Sequence, residues 1–214
     1  QRPAISKGCL DQAAERGART LSTLRKFWDD TRPVAVVVLE PSCASALADD
    51  LPDLMSDAAG TTTIPRLLPL DVFLAEAFAN GLRARLTSPF RRVLLHGHCH
   101  QKALTGTTPL KAVLARVEGL DYAEIDSGCC GMAGSFGYEH FEISRKIAED
   151  RLLPAIRARG EGTEILASGI SCRHQISDLL GIRAWHWVQA IRADSLDDRG
   201  GMMSPVSSGS TRIS

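Results

Sequence analysis

The segment around which the chain is organised reads Asp126-Ser127-Gly128-Cys129-Cys130-Gly131-Met132-Ala133-Gly134-Ser135-Phe136-Gly137. Its two adjacent cysteines make a poor structural disulfide, because closing so small a ring strains the S–S geometry. Their side chains diverge, so they suit a polynuclear metal centre or a reactive dithiol better than one tetrahedral ion. The glycines let the backbone approach a bulky group closely and adopt positive φ. The segment therefore indicates chemistry rather than packing.

Composition places the chain among ordinary globular proteins. Of its 214 residues, 44% are hydrophobic and 23% are charged, which is enough for a real core. Its formal net charge is zero, so no broad basic face for nucleic acid is expected. No apolar run approaches the roughly 20 residues that span a bilayer. Six cysteines without a secretory signal peptide predict metal or redox ligands in the cytoplasm, a reducing compartment.

Predicted strands and helices alternate along the chain. The continuous run from Val34 to Leu39 is typical of a strand buried on both faces of a parallel sheet. Further strands are predicted at 92–95, 122–125, 164–167 and 183–187. Helices are predicted at 10–28, 44–55, 71–86, 110–117, 138–157 and after 187, and a loop at 58–65. The alternation predicts an α/β fold, with a mainly parallel, doubly wound sheet and helices on both faces.

Most of the cysteines follow predicted strands. The five that lie just past the carboxyl end of a strand are Cys43, Cys99, Cys129, Cys130 and Cys172. Ligands of open α/β sheets bind at that edge, so we expect these thiols to converge there. The sixth, Cys9, stands at a helix start and is interpreted as incidental.

The chain also contains a concealed repeat. Gly8 and Gly137 are 129 positions apart, as are Cys43 and Cys172, and the same shift overlays the two longest predicted helices. In this register the counterpart of the cysteine pair falls at or just before Gln1. We therefore expect the remainder of a first repeat at 1–66, a second repeat at 67–194 and a disordered tail at 195–214.

The order of Cys99, Cys129-Cys130-Gly131 and Cys172 resembles the cysteine-rich CCG domain. That domain occurs, usually as two repeats, in iron–sulfur subunits of glycolate oxidase, lactate-utilisation proteins, anaerobic glycerol-3-phosphate dehydrogenase and heterodisulfide reductase. Residues 128–139 and 171–176 are most similar to the C-terminal part of fused enzymes, in which an FAD-binding oxidase domain, a ferredoxin-like segment and this domain share one chain. The resemblance covers residues 1–194.

The resemblance implies an iron–sulfur electron-transfer module of an FAD-dependent D-2-hydroxy-acid dehydrogenase, inactive alone, whose substrate is D-lactate, glycolate or D-2-hydroxyglutarate. Some relatives hold a non-cubane [4Fe-4S] cluster and others zinc, while FAD lies on a separate domain. By position, Cys99, Cys129, Cys130 and Cys172 are the implied metal ligands, and Cys43 is the cofactor-binding residue of the first repeat. The implied partners are the FAD-binding oxidase domain, the ferredoxin-like segment and an electron acceptor, quinone-linked or other.

One departure from the family pattern concerns the ligand set. The family often carries a further cysteine three places before the last one, where this chain has Gly169, and Glu40 in the first repeat. The departure favours a smaller or mixed-ligand site. His96, His98 and His100 alternate about a turn, so at most one or two of them could face a metal.

Nearby cationic side chains could change the pKa of the thiols, and the cysteines are compatible with two other functions. Lys102 and Arg173 are candidates for lowering the thiol pKa, or are solvated surface charges, and His174 is a weaker ligand candidate. The alternatives to an electron-transfer centre are a structural zinc-binding docking domain of the same complex and a thiol–disulfide relay of Cys129 and Cys130. The glycines of the central segment mimic a phosphate loop, but no Gly-Lys-Ser/Thr follows, so nucleotide binding is not expected.

Overall fold

A computed structural model describes residues 2–55, 64 and 66–195 of the chain, and they form an α/β fold. The helices are α1 (Arg2–Ser6), α2 (Leu10–Thr31), α3 (Pro41–Ser45), α4 (Leu51–Leu54), α5 (Leu70–Ala79), α6 (Cys99–Leu104), α7 (Thr108–Leu114), α8 (Phe136–Glu139), α9 (Phe141–Asp150), α10 (Leu152–Arg157) and α11 (Ile170–Leu180). A π-helical turn spans Ala46–Asp50 and a 3₁₀ turn spans Trp187–Ala190. The strands are β1 (Val36–Val38), β2 (Leu67–Pro69), β3 (Ala84–Thr87), β4 (Arg92–His96), β5 (Val117–Glu118), β6 (Asp121–Glu124), β7 (Thr163–Ala167), β8 (Ala184–Trp185) and β9 (Arg192–Ser195).

The largest sheet in the described ranges has the strand order β6-β4-β7-β8, and all of its strands are parallel. Leu95 of β4 pairs with Glu124 of β6, and His96 pairs with Ala167 of β7. Because these strands run in the same direction, the loops that follow β6, β4 and β7 emerge side by side at one edge. That edge carries the candidate site.

The other strands form two smaller sheets, so the prediction of one doubly wound sheet is only partly right. Strands β1 and β2 pair in parallel, whereas β5, β3 and β9 form a mixed sheet in which β3 and β9 are antiparallel. Both small sheets consist of strands of two to four residues.

Two predicted helices end differently in the structure. The one predicted at 71–86 ends at Ala79, because Gly81 adopts φ +96 and turns the chain; the residues that follow form β3. The closing helix predicted after 187 is a 3₁₀ turn followed by β9, which pairs with β3. In both places pairing between distant segments overrides the local helical pattern.

The long helix predicted at 138–157 is divided into α8, α9 and α10. Pro154 lies in the first turn of α10, where its missing N–H prevents a continuous helix from α9. Arg151, at the break, has φ −141 and ψ −38. The break lets α10 pack separately on the central sheet, with Leu152, Leu153 and Ile156 fully buried.

The core consists of two apolar clusters on opposite sides of the central sheet. One is formed by α9, α10 and α11 against β7, and it includes Cys130 and Cys172 together with Leu152 and Ile165. The other packs α5 and α7 against β3 and β4. Two of the predicted ligands are therefore also core residues.

Two helices begin at positions that are 129 residues apart in the chain. The helix α3 begins at Pro41 and α11 begins at Ile170, each after an extended residue that follows a strand. Those preceding residues are Glu40 (φ −93) and Gly169 (φ −80). The predicted domain boundaries remain a prediction. Ser195, predicted as the start of the disordered tail, instead ends β9. The rest of the predicted tail and most of the predicted loop at 58–65 lie outside the described residues.

Within the described ranges, none of the helices combines the length and the apolar character needed to cross a bilayer.

Candidate metal centre

Four cysteines lie at the edge where the central strands end. Cys99 is the first residue of α6 after β4, and Cys172 is the third residue of α11 after β7. Cys129 and Cys130 lie in the loop between β6 and α8. The order β6-β4-β7 brings these three segments next to one another, as the predicted alternation of strands and helices required.

The loop that carries the cysteine pair depends on one glycine. Gly131 has φ +91, and a Cβ there would lie 2.3 Å from the backbone oxygen of Ser144 in α9. Any side chain would therefore displace the loop from the helix. The Gly131 N–H donates to the sulfur of Cys129 at 3.3 Å. Gly131 thus holds the loop in place and directs one backbone donor at a thiolate.

The four thiols form a hydrogen-bonded chain. The thiol of Cys99 can donate to Cys129, and the single proton of the Cys130 thiol can be donated to either Cys129 or Cys172. Hydrogen bonds from Cys130 and Cys99 lower the pKa of Cys129 to about 2, and the bond from Cys130 lowers the pKa of Cys172 as well. Donating these bonds raises the pKa of Cys99 and Cys130. The opposite shifts favour the thiolate form of Cys129 and Cys172 and the protonated form of Cys99 and Cys130.

His96 completes a group of three ligand atoms. It is fully buried, and one ring nitrogen lies within 4.8 Å of the sulfurs of Cys130 and Cys172, which are equally close to each other. Its Nδ1 is 2.8 Å from the Oγ of Ser127, and its Nε2 has no hydrogen-bond partner among the described residues. With Nδ1–H donating to Ser127, Nε2 presents a lone pair beside two sulfurs, the arrangement that a metal-binding histidine requires.

His98 occupies the place of the cysteine that the family pattern leads one to expect at 169. A Cβ on Gly169 would lie 2.1 Å from Cδ2 of the His98 ring, so the ring fills that space. Nδ1 of His98 accepts the N–H of His100 at 3.2 Å, which places the proton of the neutral ring on Nε2. Burial lowers the pKa of His98 and favours this neutral form. His98 is therefore suited to donate to a sulfur, not to ligate a metal through Nε2.

The other charged and imidazole candidates bind protein groups. Nδ1 of His100 is 3.0 Å from the Oγ of Ser45 in the first half of the chain. Lys102 donates to the backbone oxygen of Ser127 at 2.5 Å, and Arg173 donates to two backbone oxygens at the end of β7. His174 is exposed on α11. The low pKa of Cys129 and Cys172 is thus caused first by neighbouring thiols.

The two remaining cysteines are exposed. Cys43 is exposed on α3 in the first half of the chain, and Cys9 is exposed at the start of α2. Glu40, which corresponds to Gly169, accepts the N–H of Ile170 at 3.0 Å. This contact joins the first half of the chain to the N-terminus of the helix that carries Cys172.

The sequence pattern treats the three histidines alike and does not single out His96. The signal that distinguishes it is its position as the last residue of a buried strand, one residue before Gly97. A histidine inside the strand points into the protein, whereas His98 and His100 belong to the start of the following helix.

The donor set fits a soft metal. Thiolate and imidazole ligands select zinc and iron–sulfur centres over hard cations. The unpaired Nε2 of His96 gives independent support, because buried polar atoms without a partner are rare. The group of His96, Cys130 and Cys172 suits one ion, and the extension through Cys129 and Cys99 suits a polynuclear centre.

Comparison with known proteins finds distant relatives among dehydrogenases. The chain is 24% identical over 189 residues to a subunit of the anaerobic glycerol-3-phosphate dehydrogenase of Escherichia coli K12, covering 86% of this chain and 46% of that protein. It is 27% identical over 188 residues to D-2-hydroxyglutarate dehydrogenase of the same strain, covering 86% of this chain and 18% of that protein. Over 101 residues it is 33% identical to D-2-hydroxyglutarate dehydrogenase of Pseudomonas putida, covering 45% of this chain and 10% of that protein. The chain thus spans less than half the length of these relatives, and no family model and no solved structure matches it.

Proposed function

We propose that this chain is an electron-transfer module of an oxidoreductase, which holds an iron–sulfur centre on Cys99, Cys129, Cys130 and Cys172. The observation that carries the proposal is the continuous chain of four thiols at the edge of the central sheet. The lowered pKa of Cys129 and Cys172 favours the thiolate, the form that binds iron. We place Cys43 in the corresponding position of a first, incomplete CCG repeat.

An iron–sulfur centre, when bound, passes on electrons singly. The protein residues set the conditions for that exchange. Cys130 and Cys172 are buried in the apolar core, which keeps water from the inner side of the site. The Gly131 N–H donates to the sulfur of Cys129, and such donors raise a reduction potential by stabilising the more negative state. His96 is available as a fifth, nitrogen donor.

The donor of the electrons is proposed from the relatives. Two of them are named D-2-hydroxyglutarate dehydrogenase and one is a subunit of a glycerol-3-phosphate dehydrogenase. We propose that the flavin of an FAD-binding oxidase domain, acting on a D-2-hydroxy acid, reduces the centre through a ferredoxin-like segment. If this proposal is right, a separate flavin domain lies close to the iron–sulfur centre, and the present chain is inactive alone.

A zinc site is the second candidate, and one observation favours it. His96, Cys130 and Cys172 offer three ligand atoms that all lie within 4.8 Å of one another, and one nitrogen with two or three sulfurs is a common zinc ligand set. In that case Cys129 or Cys99 provides the fourth ligand, and the module serves to dock its partner domain.

Anaerobic purification with metal and sulfide analysis distinguishes the candidates. The electron-transfer proposal predicts a brown protein with several iron atoms and acid-labile sulfide per chain, and an electron paramagnetic resonance signal on reduction or oxidation. Cys172→Ser should abolish the signal, whereas Cys9→Ser, at an exposed position outside the cluster, should leave it unchanged. One equivalent of zinc without sulfide supports the second candidate. A metal-free protein whose Cys129 and Cys130 form a reversible disulfide refutes both.

A further inference from the structure

A cavity of about 260 Å³ lies between the two halves of the chain. Its walls come from the ends of β1 and β2, the turn Ala46–Asp50, the start of α5 and residues of α6. Most of the lining side chains are apolar, and Leu39 and Leu104 lie half-exposed at its mouth. The volume is close to the lower limit of small-molecule sites.

Two buried polar atoms on the lining residues lack partners. Gln101 and Ser168 are 5% and 1% exposed, and neither the Oε1 of Gln101 nor the Oγ of Ser168 makes a hydrogen bond with any described residue. An unsatisfied buried polar atom costs about 1–3 kcal/mol. Two such atoms on residues that line one cavity indicate that a group other than the described residues satisfies them.

The neighbouring groups define the polarity of that molecule. The Nε2 of Gln101 donates to Asp71 at 2.7 Å, which fixes the side-chain amide so that its oxygen is the free atom. Asp71 is buried beside the same cavity and accepts the N–H of Val72 at the start of α5. The cavity therefore offers hydrogen-bond acceptors next to the carboxyl group of Asp71. Acceptors and a carboxyl group disfavour binding of an anion and favour a ligand with a hydroxyl or N–H donor.

We propose that this cavity binds a neutral, mainly apolar small molecule that carries a hydroxyl group. The hydroxyl donates to Oε1 of Gln101 and accepts from Oγ of Ser168, and the apolar body lies against Trp187 and the leucines of the walls. The site is distinct from the thiol cluster, and it does not depend on the metal or on the proposed electron transfer. It shares α6 with the cluster, since Cys99 begins the helix and Gln101 lies two residues later.

Binding of 4-ethylphenol to the full 214-residue chain tests the proposal. Calorimetry should give saturable binding of one molecule per chain. The matched probe 4-ethylanisole, which lacks the hydroxyl donor, and D-lactate, an anion, should bind at least about tenfold more weakly. Equal binding of the phenol and the anisole overturns the assignment of the polar atoms, and absence of phenol binding overturns the site.

Variants locate the binding. Ser168→Ala should weaken 4-ethylphenol binding about 3- to 10-fold, as expected for one lost hydrogen bond. Ala48→Trp fills the cavity from an exposed position and should abolish binding, whereas Ala18→Trp, on the exposed face of α2, should not change it. Circular dichroism confirms that each variant is folded. Unchanged affinity in Ala48→Trp shows that the phenol binds elsewhere and refutes the proposal.

Discussion

Replacing Gly169 with alanine tests whether the His98 ring occupies the space of a side chain at position 169. Gly169 has φ −80 and ψ 138, a conformation that any residue adopts, so the backbone alone does not require glycine. The constraint is space, because the added Cβ would lie 2.1 Å from Cδ2 and 2.7 Å from Nε2 of His98. Both contacts are shorter than real Cβ contacts, and the ring has to move.

The expected magnitude depends on whether the ring is present. Overpacking a buried site costs about 1–3 kcal/mol, whereas a glycine-to-alanine change at a compatible conformation contributes about 0.4–1 kcal/mol of stability. We therefore expect Gly169→Ala to lower the free energy of unfolding by about 1–2 kcal/mol in the native background. In a His98→Ser background, where the ring is gone, it should be neutral or stabilising. Serine retains a side-chain acceptor for the His100 N–H, so the start of α6 stays capped.

The measurement is a double-mutant cycle in guanidinium chloride, with the metal-free, reduced chain followed by tryptophan fluorescence. Replacing the glycine that precedes α11 also lowers the free energy of unfolding slightly, whatever residue is at position 98. This loss is the same in both backgrounds, so it cancels from the coupling free energy. A coupling free energy of about 2 kcal/mol between positions 98 and 169 is expected. Equal costs of Gly169→Ala in the two backgrounds would refute the reasoning.

Three further predictions concern the site and its support. Neighbouring thiols lower the pKa of Cys129 to about 2. In the metal-free chain, the rate of its alkylation by iodoacetamide, measured by peptide mass spectrometry, should therefore fall less than about tenfold between pH 8 and pH 4, whereas the rate for a free cysteine, with a pKa of about 8.5, falls more than about a thousandfold. An equal fall for Cys129 would contradict the hydrogen-bonded chain. Ser127→Ala removes the partner of the His96 Nδ1 and should weaken metal binding about 10- to 100-fold in a chelator competition, whereas the exposed Ser22→Ala should not. Glu40→Gln removes a negative charge from the start of α11 and should lower the free energy of unfolding by about 1 kcal/mol at low salt and less at high salt; a salt-independent loss would show that charge is not the cause.

The sequence predicted the position of the cysteines better than the arrangement of the sheets. The apolar runs that precede Cys99 and Cys172 form strands of one parallel sheet, which brings the ends of these strands to one edge. The run that precedes Cys43, predicted to be buried on both faces, instead forms a half-buried strand of a separate sheet. The sequence does not show which strands pair with one another. Residues 84–87 continue a helical pattern locally, and they form a strand because β5 and β9, which lie far along the chain, pair with them.

The ligand set shows the same limit. The sequence shows a glycine at position 169, but the ring that fills the space beside it belongs to His98, 71 positions earlier. The distinction between His96 and His98 likewise depends on hydrogen bonds to Ser127 and to the backbone of His100. Spacing shows which residues are near the edge of the sheet, whereas tautomer and orientation depend on tertiary contacts.

The burial of Cys130 and Cys172 among core leucines and isoleucines also bears on how the centre is assembled. In small zinc domains the ion supplies the folding free energy, and its removal unfolds the chain. Cys130 and Cys172 belong instead to an apolar cluster of core side chains, so we expect packing to supply folding free energy beside that of any bound ion. A chelator that removes the ion should then leave a folded chain that can bind metal again.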